Sequence, residues 1–390
     1  MSTRIVLPRI MHVGKGASLQ IAETMKTLQV SRPLIITDKM MVELGYVKRI
    51  QQALLEAKIE ASVFSDTIPE PTVNSIDAGV RMVSEGGFDS IIAIGGGSPI
   101  DSAKAISIVG KFGGEVSDYK FPRDVSENGL PIIAIPTTAG TGSEVTRFTV
   151  ITDDLKDEKM LCSGLGFMPI AALVDYELTL SLPPRVTADC GLDALTHAIE
   201  AYVSKKANAF SDAQALAAMS MIGLNIRQAY DNPKNESARE AMMLGSTLAG
   251  VAFSNASVAL VHGMSRPIGA FFHVPHGLSN AMLLPAITEF SIPAATDRYA
   301  ACSKAIGVAN FSDSQQSACQ KLLEELHALN EYLSVPSPAD FGIDREEYFR
   351  LMPTMAQQAL DSGSPLNNPK IPTVEEMISL YTKVWEAGKK

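Results

Sequence analysis

Asp89-Ser90-Ile91-Ile92-Ala93-Ile94-Gly95-Gly96-Gly97-Ser98-Pro99-Ile100-Asp101 is the stretch on which the fold turns. Its apolar run, rich in β-branched isoleucine, predicts a strand buried on both faces. Three glycines follow, and then a helical pattern over residues 101–109. A strand, a glycine loop and a helix in that order let the backbone come close to a pyrophosphate. The helix offers free N–H groups and the positive end of its dipole. The stretch does not match G-x-G-x-x-G, so the standard Rossmann fingerprint is not met. A bare Gly95-Gly96-Gly97-Ser98 reads equally well as a tight turn with no ligand.

The same alternation extends outward in both directions. Residues 33–38 and 59–64 read as strands, 47–57 as a helix, and 74–85 as a helix capped by Asn74 and closed by Gly86-Gly87. Residues 131–135 form another buried strand, followed by the polar loop Pro136-Thr137-Thr138-Ala139-Gly140-Thr141-Gly142-Ser143-Glu144. Two antiparallel strands, 146–152 and 158–163, are expected around the turn 153–157, and a last strand at 171–175. This order implies a parallel sheet covered by helices. Two polar loops at the carboxyl ends of parallel strands favour a ligand over an empty turn, since open α/β sheets bind ligands there. Asp38 closes an early strand; its carboxylate either binds ribose hydroxyls, which favours NAD over NADP, or caps the next helix.

The pattern changes at Leu182-Pro183-Pro184. Beyond it the chain is rich in Ala, Leu, Met and Glu, with helical spacing at 187–204, 211–229, 236–253 and 373–387. The expected organisation is an α/β nucleotide-binding domain over residues 1–180 and an all-α domain over 181–390.

The chain has 390 residues, 46% hydrophobic and 19% charged, enough for a large core. Its net charge of -10 argues against nucleic acid and against an anionic membrane surface. Four cysteines without short spacing read as reduced thiols. The N-terminus lacks a signal-peptide apolar region, and charge or Pro interrupts every apolar run. A cytoplasmic protein with no nucleic-acid or membrane partner is expected. The Ala- and Met-rich C-terminal half fits a homo-oligomer.

Asp193 and His197 are four residues apart in a helical pattern, so they share one face. Such a pair is often a surface hydrogen bond, but Leu192, Ala194, Leu195, Ala198 and Ile199 make this face a buried one. Buried polar groups need partners, and a metal is one. His262 follows an apolar stretch, and His276 stands in the turn Val274-Pro275-His276-Gly277 ahead of a helix expected near Ser279. One carboxylate and three imidazoles suit Fe(II), with Zn(II) or Mn(II) as competitors. Four protein ligands leave room for a substrate oxygen, toward which the ion would act as a Lewis acid. His273 reads as a proton carrier, a support for a ligand, or an exposed residue. Phe148 and Phe253 line an apolar pocket or belong to the core.

Taken together, these segments resemble the iron-dependent (group III) alcohol dehydrogenases. The resemblance rests on residues 95–104, on 136–146, on Gly191-Leu192-Asp193-Ala194-Leu195-Thr196-His197-Ala198-Ile199-Glu200-Ala201-Tyr202, and on Pro275-His276-Gly277. It covers nearly the whole chain. It implies a dehydroquinate-synthase-like fold and iron held by Asp193, His197, His262 and His276. It also implies NAD lying on the Gly95–Ser98 and 136–144 loops, with Asp101, Thr137, Thr138 and Lys159 among its contacts and Thr141, Ser143 and Phe148 close by. Asp38 matches the position that favours NAD. The implied reaction is hydride transfer between NAD(H) and a small alcohol or aldehyde. Two positions depart from the pattern: Glu70, where relatives often have Asn, and Arg266, where many have a histidine. A guanidinium cannot pass protons near neutral pH as an imidazole can. Arg266 reads either as a packed, locally paired side chain or as the group that holds an acidic substrate. Two other classes are expected to lose to the dehydrogenase: a lyase or cyclase that uses NAD transiently, and a non-catalytic nucleotide-binding scaffold.

Overall fold

The computed structural model describes residues 2–156 and 158–387. The chain divides into two compact units, one spanning Val6–Ser181 and one beginning at Leu182.

In the first unit the strands are β1 (Ile10–Val13), β2 (Pro33–Ile36), β3 (Ser62–Phe64), β4 (Ser90–Gly95), β5 (Ile132–Pro136), β6 (Phe148–Asp153), β7 (Glu158–Ser163) and β8 (Ala171–Val174). Six of them form one sheet in the order β1-β8-β5-β4-β2-β3, and β6 pairs with β7 alone. Every pairing in the large sheet is parallel, while β6 and β7 are antiparallel. The apolar runs are continuous because both faces are covered. Leu34, Ile36, Ile91 and Ala93 enter one core cluster, and Ile35, Ile92 and Ile94 enter the other. Each such isoleucine contributes about 1.5–3 kcal/mol by leaving water.

The β4–β5 register sets Gly95 opposite Pro136, and Thr137 donates its N–H to the Gly95 carbonyl at 2.9 Å. The two polar loops therefore leave adjacent strands side by side. The helix after β4 spans Gly97–Phe112, so Gly97 already belongs to its first turn, Gly96 is its N-cap and Gly95 closes β4. Pro99 is tolerated there because first-turn N–H groups have no intrahelical partner.

Several local expectations are corrected. The helix expected from Asn74 runs over Val73–Gly86, and its cap is Thr72 rather than Asn74. Thr72 Oγ1 accepts from the Ser75 N–H while Ser75 Oγ accepts from the Thr72 N–H, a reciprocal capping box. Asn74 instead donates to Asp154. The strand expected from residue 59 shortens to β3, and the strand expected from 146 begins at Phe148. Asp157, in the turn expected between β6 and β7, lies outside the described residues.

The described residues of the second unit carry helices and no strand. Pro184–Val203, Ala209–Asp231 and Glu236–Ala256 pack closely, because a Cβ at Gly191 would sit 2.8 Å from Ile226 and 2.9 Å from Met242. No single helix among the described residues is long and apolar enough to cross a membrane.

Candidate metal centre and nucleotide cradle

Three helices bring the Asp/His set together. Pro184–Val203 carries Asp193 and His197, Leu260–Phe272 carries His262, and His276–Ser291 carries His276. This last helix begins at His276 itself, not near Ser279. Gly277 makes the approach feasible, because a Cβ there would meet the Asp189 carbonyl oxygen at 2.3 Å. Asp193, His197 and His262 are buried and His276 is partly exposed. Asp193 Oδ1 lies 3.5 Å from His262 Nε2 and 3.6 Å from His276 Nε2. One donor atom from each of the four residues falls within 4.8 Å of all the others.

Glu200 and Asn280 complete this cluster, and neither was singled out from the sequence as a site residue. Glu200 Oε2 meets His262 Nδ1 at 2.7 Å and accepts from the Ala259 N–H at 2.8 Å; Oε1 accepts from the Val261 N–H. Giving the Nδ1 proton to a carboxylate leaves the Nε2 lone pair turned toward Asp193 and His276. The Asn280 amide nitrogen donates to Asp193 Oδ1 at 2.7 Å and lies 3.1 Å and 3.3 Å from Nε2 of His262 and His276. Asn280 Oδ1 is buried with no hydrogen-bond partner among the described residues. Three acceptors thus converge on one donor, as they would on a cation, and the chemistry of the set fits a divalent transition metal. Burial alone would raise the Asp193 carboxyl. The neighbouring imidazoles of His197 and His276, with the hydrogen bond from His262, outweigh it and hold the group well below the usual carboxylate range. Burial opposes charge on His262, but Asp193 and Glu200 win and raise it. Phe253 stacks on His197 with ring centroids 4.2 Å apart, so it covers one face of that imidazole.

Arg266 lies one turn beyond His262 on the same helix, half-buried, with Nη1 donating to Ser364 Oγ at 2.9 Å. His273 is exposed and closes that helix in the left-handed conformation at φ 53°.

In the other unit, the cradle is built mainly of backbone. A Cβ at Gly95 would lie 2.5 Å from Pro99, and one at Gly97 would lie 2.7 Å from Thr141. Glycine at 95 leaves room for the Pro99 ring of its own segment, and glycine at 97 lets Thr141 of the second loop close against the first. Thr137 Oγ1 is buried with no partner among the described residues, and Ser98 Oγ accepts from the Glu70 N–H at 3.1 Å. Lys159 pairs with Glu70 at 2.7 Å.

Asp101 and Ser143 are engaged with each other. Ser143 Oγ donates to Asp101 Oδ1 at 2.6 Å, and the Val150 N–H donates to Oδ2 at 2.9 Å. Lys104, fully buried, donates to Ser143 Oγ, Thr146 Oγ1 and the carbonyls of Thr146 and Phe148 at 2.7–3.1 Å. These bonds fasten the second loop and β6 to the helix after β4. Burial pushes Lys104 down to about 8 against the pull of Asp101 and Glu144, and burial raises the Asp101 carboxyl. Asp38 Oδ1 accepts from the Met41 N–H at 2.9 Å, capping the helix Lys39–Glu43. Sequence could have flagged Glu200, which repeats the helical spacing of Asp193 and His197. No sequence signal points to the Asp101–Ser143–Val150 bonds, which depend on tertiary structure.

Residues 8–176 match the family model for iron-containing alcohol dehydrogenases. Residues 187–385 match the model for the C-terminal part of the Fe-containing alcohol dehydrogenase family. Lactaldehyde reductase of Escherichia coli is 35% identical over 389 residues, covering 99% of this chain and 100% of that protein. The crystal structure of a 1,3-propanediol oxidoreductase superposes with a TM-score of 0.94 at 32% identity, covering 98% of this chain and 100% of the other. Sulfoacetaldehyde reductase from Bifidobacterium kashiwanohense, in complex with NAD+, gives a TM-score of 0.87 at 28% identity over 99% of each chain.

Proposed function

This chain belongs to the iron-containing alcohol dehydrogenase family, and from that premise we propose a NAD(H)-linked oxidoreductase that interconverts a small primary alcohol and its aldehyde, with Asp193, His197, His262 and His276 as its metal ligands. The observation that carries the reading is the convergence of one carboxylate oxygen and imidazole nitrogens within 4.8 Å. When bound there, Fe(II) supplies Lewis acidity toward an alcohol or carbonyl oxygen, and NAD supplies the redox capacity.

The chain's own residues do the rest. Glu200 keeps the His262 proton on Nδ1, so Nε2 is available to an ion. Phe253 shields the His197 ring on one side. The N–H groups of the Gly95–Ser98 loop would hold the pyrophosphate, together with Thr137, Thr138 and Thr141. Asp101 and Ser143 hold the second loop in shape, Phe148 begins β6 just after it, and Lys159 pairs with Glu70, whose N–H donates to Ser98 of the first loop. Asp38 caps the helix Lys39–Glu43 with Oδ1, and its other oxygen would hold the ribose hydroxyls. His273 exchanges a proton with solvent, supported by its exposure three residues before His276. A cytoplasmic homo-oligomer is part of the same reading, supported by the apolar C-terminal half and by the absence of a disulfide among the four cysteines.

The test is metal removal. Chelation is expected to abolish alcohol-dependent NADH formation, and Fe(II) to restore it, with Zn(II) and Mn(II) as comparisons. Activity that survives complete chelation would sink the metal assignment. NAD that turns over without net reduction would favour the lyase.

A further inference from the structure

The arginines of the helical unit are not alike. Arg239 is buried and donates to the carbonyls of Pro233 and Leu182 and to Thr187 Oγ1. Arg298 pairs with Asp212 and donates to the Tyr202 carbonyl. Arg185 pairs with Asp189 and donates to two carbonyls, and Arg227 pairs with Glu325. Arg266 has a single neutral partner, the Ser364 hydroxyl, and among the described residues no carboxylate oxygen lies within 4.0 Å of it. Its other N–H groups meet no acceptor, yet none is among the sealed, unsatisfied buried atoms, so they open onto accessible space. Those N–H groups are left for water or for a bound acceptor to complete.

Its position says what that is. Arg266 is four residues after His262, so both project from one face of the helix Leu260–Phe272. The turn Ser364–Asn367 packs hard against that helix: a Cβ at Gly263 would lie 2.8 Å from the Pro365 ring. Tyr381 donates to the Met264 carbonyl at 2.8 Å and holds the helix itself at that level. Ser364 and this packing fix one end of the guanidinium and leave the rest of its fork pre-oriented. Charge points the same way. Asp193 and Glu200 together balance a divalent ion, and Asp189 is committed to Arg185. Glu200 is the carboxylate that acts on Arg266, from beyond contact distance, and its oxygens are already engaged with His262 and the Ala259 and Val261 N–H groups, so Arg266 is only partly balanced.

We propose that Arg266 is a specificity-determining residue that holds the anionic end of the substrate, so that the preferred alcohol or aldehyde carries a carboxylate or sulfonate a few carbons from the reacting carbon. The inference rests on the oxidoreductase reading above. The anion does not react: the alcohol carbon gives hydride to NAD+, the hydroxyl gives its proton to solvent, and the acidic group stays bound to the fork. Two parallel N–H···O bonds give such a group orientation as well as affinity.

The experiment compares the metal-loaded wild type with Arg266→Gln and Arg266→Lys, using 4-hydroxybutyrate and its neutral isostere 4-hydroxybutyramide, with NADH formation as one readout. The second readout is calorimetric binding of propane-1-sulfonate, a poor metal ligand, to the same proteins. The wild type is expected to prefer the acid over the amide by about ten- to a hundredfold in kcat/KM. Arg266→Gln should bring that ratio close to one, Arg266→Lys should restore part of it, and sulfonate binding should follow the same order. A wild-type ratio near one, or a ratio and sulfonate affinity unchanged in Arg266→Gln, overturns the clamp while the oxidoreductase stands. If no alcohol is oxidised but sulfonate binding depends on Arg266, the clamp stands and the oxidoreductase reading falls. Should Arg266→Gln fail to fold, the ratio in Arg266→Lys decides, because lysine keeps the charge without the fork.

Discussion

The cradle and the ligand cluster solve opposite problems. Around the glycine loops, the polar groups that shape the site are spent on one another: Asp101 on Ser143 and Val150, Lys104 on Ser143, Thr146 and Phe148. What remains for a ligand is mostly backbone N–H. Around Asp193 the arrangement is reversed. Acceptors face each other across a small space, and the groups that support them, Glu200 from outside and Asn280 from within, cannot satisfy them all. The first region holds its shape through its own bonds. The second is complete only with something positive inside it.

Removing Lys104 should break the first half of this contrast with the largest effect. Lys104→Met leaves the Asp101 carboxylate buried without its cation and strands several acceptors, so a loss of about 3–5 kcal/mol is expected in urea unfolding. Metal content should not change, since every ligand lies in the other unit. Burial holds Lys104 at about 8, below an ordinary lysine's 10.5. Between those values the unfolded chain binds a proton that the folded chain does not, so wild-type stability gains as pH climbs from 8 to 10.5. That gain should be missing in Lys104→Met. A stability loss under about 1 kcal/mol would mean the loops hold themselves without the clamp.

Asn280→Leu tests the second half. It removes the donor that bridges Asp193, His262 and His276 while keeping the same number of side-chain heavy atoms in the same branched shape. Affinity for Fe(II) or Zn(II) should fall by about 10- to 100-fold, the usual worth of a group that hydrogen-bonds a ligand, here Asp193 Oδ1. Competition against a chromophoric chelator reads this without any need for turnover. Unchanged affinity would reduce the amide to a filler of space.

The same contrast explains what could be read from the chain. Ligand chemistry resides in residue identity, so an aspartate, three histidines and one helical spacing mark the cluster in the sequence. Glu200 sits seven residues beyond Asp193 on that helix, yet its role depends on where the backbone at Ala259 and Val261 ends up, which local pattern does not encode. The helix of His276 starts earlier than its sequence indicated because Gly277 allows close packing against Asp189, a tertiary reason. In the cradle, the strand and glycines were plain from periodicity, but the partners of Asp101 were not. β1 escaped notice because it is a short edge strand, half-buried on alternate residues, with no apolar run to mark it. The cap at Thr72 was missed because Thr72 and Asn74 are both good caps, and only the reciprocal bond with Ser75 separates them.

Asp38 gives the smallest and most discriminating effect, because one carboxylate serves both local structure and the proposed choice of dinucleotide. Asp38→Asn keeps an oxygen that can accept from the Met41 N–H and removes only the charge. If that charge repels a 2′-phosphate, the ratio of kcat/KM for NADP to that for NAD should rise about tenfold, equivalent to ~1.4 kcal/mol of like-charge repulsion. Asp38→Ala loses the cap as well and should also lower stability by about 0.5–2 kcal/mol in thermal unfolding. The two variants therefore separate the roles. A shifted ratio in both, with destabilisation only in the alanine variant, assigns cofactor choice to the charge and helix initiation to the oxygen. An unmoved ratio in the asparagine variant would leave Asp38 as a helix cap alone, and the preference for NAD would then have to come from the backbone of the cradle.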